Sequence, residues 1–339
     1  MGATHASCQE AGNRFFNSRS KVEQWIKENN VPALGIGVIS DGEVREIRMY
    51  GELKKGVPAP YNAIYNVASL TKPVVTLLTL KLVSSGSWNL DESLSNYWID
   101  PDIAKDSRHK KLTSRLVLSH QTGFKNWRYL NPNGKLSFDA EPGTKYGYSG
   151  EGFEYLRKAL EGKFKKSLEQ LSDSLLFKPL GMSDTRYKWD QTINESRFAH
   201  WFDAEGREHK QDYKKTGVNA ADDLLTTIED YGRFAVHVLH GGGLDSSVYS
   251  QMIRPHVATK DGRFMGLGWE MFLNVGAKKE YILTHGGSDQ GVQTLIILLP
   301  LSQQGLIIFT NGDNGHKLYK TSIIELLDIG KELMDRVKD

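Results

Sequence analysis

The segments of this chain that can form β-strands lie at its two ends, and the long stretch between them reads as helices and loops. Near the start, "ALGIGVIS" and "EVREIRMYG" are β-rich runs joined by Asp41–Gly42, a dipeptide suited to a tight hairpin. Near the end come "MGLGWEMFL", "EYILTHGG", "VQTLIILLP" and "GLIIFTNG". Strands so far apart in sequence share a core when one sheet is assembled from both termini. The expected fold class is α+β: an antiparallel sheet from both chain ends flanked by helices, with an inserted, mainly helical region. Residues 1–68 plus 241–339 would make the sheet region and 69–240 the insertion, within one compact unit.

An opening helix is expected over 20–29, with Ser20 as N-cap and Val22, Trp25 and Ile26 on one face. Further helices are expected over Val74–Val83, Ser114–Ser119, Gly152–Leu160, Leu168–Leu175 and Ile228–His240, and an amphipathic one over Leu318–Met334.

A chain of 339 residues with 39% apolar content can bury a substantial core. Forty-three Lys and Arg against 41 Asp and Glu leave a net charge of +2, which gives no field for nucleic acid or acidic lipid. Cys8 is the lone cysteine, so an internal disulfide and a Cys-based zinc site are excluded. No His-Glu-x-x-His occurs, and neither a metal nor a cofactor is expected. The longest apolar run, Leu295–Leu301, is interrupted by Pro300 and is too short to span a bilayer, so no transmembrane segment is expected. The start, "MGATHASCQE", has no apolar signal core. Ala6-Ser7-Cys8 fits the end of a trimmed lipoprotein signal no better than an ordinary N-terminus, and the oligomeric state has no signature.

Three Ser-x-x-Lys matches occur, at Ser18–Lys21, Ser107–Lys110 and Ser69–Lys72. The first opens a polar helix and the second lies in the charged loop "AKDSRHKK", where both read as surface residues. Ser69 differs, because the apolar run "AIYNVA" delivers it to the start of a helix too apolar to face water. A serine there has helix-start N–H groups and the positive dipole end nearby, which favour an oxyanion. Lys72 is one turn on, on the same face, where burial lowers its pKa and lets the neutral amine take the serine proton. Pro73 is tolerated in the first turn.

Ser69-x-x-Lys72 resembles the first motif of the serine β-lactamase and penicillin-binding-protein superfamily. "PGTKYGYSGEGFEYL" (142–156) is similar to the Tyr-x-Asn region of class C β-lactamases and related esterases, with Tyr148 in the tyrosine position. "THGGSDQG" (284–291) stands where the family has Lys-Thr-Gly, so His285, Gly286 and Gly287 form the third motif. "LVLSHQTGF", "LFKPLGMSDT", "AADDLLTTIEDYGRF" and "MGLGWEM" agree in order, so the resemblance covers about residues 20 to 335. It implies acylation of Ser69 by an ester or amide, proton transfer shared by Lys72 and Tyr148, and an oxyanion hole of the Ser69 and Ser288 backbone N–H groups. A neighbouring lysine ammonium would lower the phenol pKa of Tyr148. The cell envelope is the setting the resemblance favours, while the residues themselves leave the cytoplasm open.

Two departures bear on substrate. Gly150 replaces the family Asn, removing an amide that would bind a penicillin or peptide. His285 and Gly286 replace a lysine and a threonine, removing a permanent charge and a hydroxyl from the carboxylate-binding edge. The expected partner is a small ester or amide, with esterase-like activity favoured over a D-Ala-D-Ala carboxypeptidase or β-lactamase. A non-catalytic protein binding peptidoglycan fragments or a partner is the alternative of another class. Gly147–Gly152 lacks the spacing of a hydrolase elbow, and adjacent Ser119 and His120 read as a structural turn rather than a Ser–His pair. "LGIGVIS" lacks the third glycine of a dinucleotide site.

Overall fold

Asp41 and Gly42 both take positive φ (53° and 72°), as a type I′ turn requires, and fold β1 (Ala33–Ser40) back onto β2 (Glu43–Lys54). In the computed structural model, which describes residues 15–337 apart from 211, 212 and 261, the other edge of β1 pairs with β11 (Gln304–Thr310), near the far end of the chain. The sheet continues through β10 (Val292–Leu299), β9 (Glu280–Asp289), β8 (Glu270–Val275), β7 (Phe264–Met265) and β6 (Val257–Ala258). With β3 (Val57–Pro58) beyond β2, nine antiparallel strands run in the order β3-β2-β1-β11-β10-β9-β8-β7-β6. The sheet is thus assembled from both ends, as the sequence implies. Cys8 and the features expected around it lie outside the described residues.

Strand periodicity of two sends Leu34, Ile36, Ile297, Leu306 and Ile308 to one face. There they meet α1 (Arg19–Glu28) through Val22 and Ile26, and α6 (Tyr319–Leu326) and α7 (Gly330–Arg336) through Ile323 and Leu333. Ile296, Leu298, Ile307 and Phe309 face the larger core, which holds α2 (Thr71–Ser84) and α5 (Ile228–Leu239). Gly37 explains the close fit of α5: a Cβ there would stand 2.8 Å from Ile228 Cγ2. The glycines of "LGIGVIS" therefore admit a helix. Although α5 belongs to the segment expected as an insertion, its apolar face packs on the sheet.

The remaining elements include α3 (Ser114–Leu118), α4 (Gly150–Phe164) and a two-strand ladder of β4 (Tyr65–Asn66) with β5 (Leu225–Thr226). Two helix expectations shift. The opening helix has Ser18, not Ser20, at its cap position, and the Ser18 side chain makes no capping bond. The closing amphipathic stretch is broken, because Leu327 leaves helical geometry (φ −119°, ψ 135°) and turns its side chain into the core. Among the described residues, no helix is long and apolar enough to cross a membrane.

Asn311, 1% exposed, ties the two chain ends together. Its Oδ1 accepts from Ala33 N–H (2.7 Å) and its Nδ2 donates to Leu53 O (3.3 Å). Removing the amide strands the buried Ala33 N–H, so Asn311→Ala should lower stability by about 2 kcal/mol. A thermal denaturation midpoint equal to wild type would show that this stitch contributes nothing.

Candidate active site

The turn that presents Ser69 is held in an unfavourable backbone conformation. Ala68 has φ 47°, a left-handed geometry that disfavours a Cβ-bearing residue, and persists because its neighbours are fixed. Asn66 Oδ1 accepts from Ala68 N–H (2.7 Å), and Thr71 Oγ1 donates to Ala68 O (2.7 Å). Tyr231 O–H closes the turn by donating to Leu70 O (2.8 Å). Ser69 therefore lies in a single 3-10 turn, Ala68–Leu70, between β4 and α2.

Lys72 is 0% exposed, in a helix whose first ten residues, Thr71 to Leu80, are all buried. Its Nζ lies 2.9 Å from Ser69 Oγ and donates to Ala221 O (2.8 Å). It also lies 4.7 Å from the Tyr148 ring centroid. Burial pulls the amine down to about 7, and the Asp222 carboxylate opposes that fall. Asp222 is in turn pushed up by burial and by Asp223, so the amine and the carboxyl titrate as a pair. The segment "AADDLL" supplies both Ala221 and Asp222, and is anchored at Leu224, whose N–H donates to Thr71 Oγ1 (3.1 Å). Asp222, Asp223 and Asp289 also bring carboxylate oxygens within 4.8 Å of one another. Asn66 Nδ2 donates to Asp223 (3.0 Å), and Asp223 N–H donates to Asp222 (3.0 Å).

Tyr148 joins this pair at the cavity wall beside Ser69, with its ring facing the Lys72 amine. Its acidity is opposite to the sequence expectation: burial raises the phenol above 10, and Lys72 does not offset it. Half or more of a nearby amine with a pKa of about 7 is uncharged above that pH, which removes the field that would stabilise a phenolate. His120, read from sequence as part of a structural turn, lies against this tyrosine with ring centroids 4.3 Å apart. Its Nδ1 accepts from Ser149 N–H (3.1 Å), and its carbonyl accepts from Gly147 N–H (2.8 Å), so it docks the loop that carries Tyr148.

The third motif lies on β9, where residues 285–289 extend past the end of the β8 pairing. At Gly287 a Cβ would overlap Val67 O and Thr294 Oγ1, so β9 packs directly on the segment leading to Ser69. A cavity of about 460 Å³ follows, with Ser69, Asn126, Tyr148, Glu270, His285 and Ser288 among its walls. Gly286 and Gly287 line it too. His285 is driven down to about 3 by burial and by Lys72, so it is neutral. A groove of about 510 Å³ lined by Glu169 and Asp190 is larger, but holds none of the three motifs.

Gly150 opens α4, and the space beyond its Cα is occupied. A Cβ there would stand 2.7 Å from Trp127 Cη2, and Gly150 N–H donates to Asn126 Oδ1 (2.8 Å). An indole thus fills the place of the missing side chain, and a neighbouring amide reaches the cavity. The sequence reading did not single out Trp127, Asn126, Asp222 or Glu270 as functional: Asp222 and Glu270 stood only within the accessory segments "AADDLLTTIEDYGRF" and "MGLGWEM", and Trp127 and Asn126 lie in a loop without a motif. Gly150→Asn should therefore destabilise the protein by about 2 kcal/mol, and Trp127→Ala in the same chain should recover part of that loss. Equal melting temperatures for Gly150→Asn and wild type would refute the clash.

Residues 19–330 match the β-lactamase family model. Protein flp of Staphylococcus aureus (strain N315) is 22% identical over 314 residues, covering 86% of this chain and 61% of its own. The chain thus spans less than two thirds of that relative. The D-alanyl-D-alanine-carboxypeptidase/endopeptidase AmpH of Escherichia coli (strain K12) is 30% identical over 174 residues, 44% of each chain. The octameric penicillin-binding protein homologue from Pyrococcus abyssi superposes with a TM-score of 0.76 at 20% identity, over 93% of this chain and 76% of that one. With a family match over most of its length, with Ser69, Tyr148 and His285 at one cavity and with Lys72 hydrogen-bonded to Ser69, the chain belongs to the β-lactamase family.

Proposed function

We propose that the protein is a serine hydrolase that acts through an acyl-enzyme on a small ester or amide, with esterase-like specificity. The observation that carries this reading is Ser69 Oγ at 2.9 Å from a fully buried amine whose pKa is about 7. When neutral, Lys72 accepts the Ser69 proton as Oγ attacks the substrate carbonyl, and Ala221 O holds the amine in place. The negative oxygen then forms next to the helix start, where the backbone N–H groups of Ser69 and Ser288 are the donors in this proposal. Tyr148, kept protonated by burial, is suited to donating to the departing oxygen or nitrogen and recovering a proton from Lys72. Water completes the cycle by releasing the acyl group from Ser69.

Substrate preference follows from what the cavity walls lack. No Lys or Arg is among its lining residues, so a substrate carboxylate meets no full positive charge at the wall. That weighs against a carboxypeptidase or β-lactamase, the reading that relationship to AmpH favours. The short Ser69–Lys72 contact likewise weighs against a purely binding protein.

A fluorophosphonate should add to Ser69 and leave Ser69→Ala unmodified; equal adducts on both would sink the enzyme reading at this site. Turnover of 4-nitrophenyl acetate should exceed that of a chromogenic cephalosporin, and the reverse order would overturn the esterase preference. The acylation rate should rise with pH through a midpoint near 7, as the amine loses its proton. Because the Asp222 charge raises the Lys72 pKa, Asp222→Asn should move that midpoint to lower pH. A midpoint that stays or rises would remove Asp222 from the titrating pair.

A further inference from the structure

Two residues that carry side chains hold left-handed backbone on either side of one buried amide. Ala68, directly before the nucleophile, has φ 47°, and Asp223, in the "AADDLL" segment, has φ 68°. Glycine takes such angles freely, whereas a residue with a Cβ holds them at a cost to stability. A strained position of this kind, kept with a half-buried carboxylate beside the site, points to a role for the Asp223 side chain.

Asn66 is the amide between them, 2% exposed. Its Oδ1 accepts from Ala68 N–H (2.7 Å), and its Nδ2 donates to Asp223 Oδ1 (3.0 Å). Both ends demand the same amide orientation, since an N–H needs the oxygen and a carboxylate needs the nitrogen. The Asp223 carboxylate thus fixes which way Asn66 faces, and Asn66 fixes the Ala68 N–H. A second brace runs alongside: Thr71 Oγ1 donates to Ala68 O (2.7 Å) and accepts from Leu224 N–H (3.1 Å). Residues 223 and 224 therefore grip both backbone polar groups of Ala68, and Ser69 follows them. Ala221, in the same segment, holds the Lys72 amine through its carbonyl (2.8 Å). One short segment thus sets both ends of the 2.9 Å contact between Lys72 Nζ and Ser69 Oγ. Of its two carboxylates, Asp222 is the one whose charge acts on Lys72.

We propose that Asp223 is a positioning residue for the nucleophile, acting through the Asn66 amide to hold Ser69 Oγ within reach of Lys72. The inference rests on the hydrolase reading and deepens it: Asp222 tunes the base, and Asp223 aims the serine. Displacing a reacting atom by about 1 Å costs up to about a hundredfold in rate, so a lost brace shows first in acylation.

The test follows the rate of fluorophosphonate addition to Ser69 and kcat/KM for 4-nitrophenyl acetate, with a melting curve for each variant. Asp223→Gly relieves the backbone and removes the acceptor. It should keep a melting temperature near wild type yet lose about tenfold or more in both rates, with the pH midpoint of acylation unmoved. Asp223→Asn keeps an acceptor oxygen without the charge and should stay within about threefold of wild type. Asn66→Asp sets two carboxylates face to face and should slow both reactions by about tenfold or more. Adding Asp223→Asn to it reverses the polarity of the pair, with the introduced amide donating to the introduced carboxylate, and should recover most of that loss. Three results would overturn the inference and leave the hydrolase reading intact. They are wild-type rates in Asp223→Gly, an equal loss in Asp223→Asn and Asp223→Gly with a shifted pH midpoint, and no recovery in the double variant. A wild-type chain that neither turns over the ester nor takes an adduct on Ser69 would overturn both.

Discussion

A lysine amine buried without a salt bridge organises this molecule. Holding Lys72 away from water is unfavourable for its charged form, and the surrounding chain answers with a carbonyl from residue 221, a serine hydroxyl and the face of an aromatic ring. Each partner comes from a different part of the sequence. The amine is therefore reactive only when α2, the 219–224 segment and the Tyr148 loop have all packed. The strained Ala68 turn belongs to the same arrangement, since the side chains that hold it also fasten the 219–224 segment.

Much of this was readable from sequence because it depends on local pattern. The Asp41–Gly42 hairpin and the terminal strands announce themselves through turn chemistry and β-rich runs, and α2 through an apolar run too continuous for a surface helix. The closing helix was misjudged because its periodicity continues across Leu327, where the pull of the core overrides helical propensity. Tyr148 was misjudged for a related reason. Its acidity depends on how much water the fold excludes, a property of the assembled core that no neighbouring letter records. Asn126 was invisible in the chain order, since a loop reaches the cavity only through tertiary packing, and "MGLGWEM" marked the segment of Glu270 without its place at the cavity.

The site differs at two positions from the family motifs that the chain resembles. At position 150 the change is steric: the Trp127 indole packs into the space that a side chain would need. At position 285 a neutral ring bonded to the adjacent carbonyl stands in place of a lysine. Neither alteration disturbs Ser69 and Lys72.

The position of β9 has a consequence for the order of events during synthesis. Ser69 and Lys72 are made early, but residues 285–288 of the cavity wall come late, and their edge packs on Val67 only once that strand exists. A ribosome-bound chain that has not reached β9 carries Ser69 without the surface that positions a carbonyl against it. In the proposed mechanism Ser69 therefore gains its cavity only when β9 has been made.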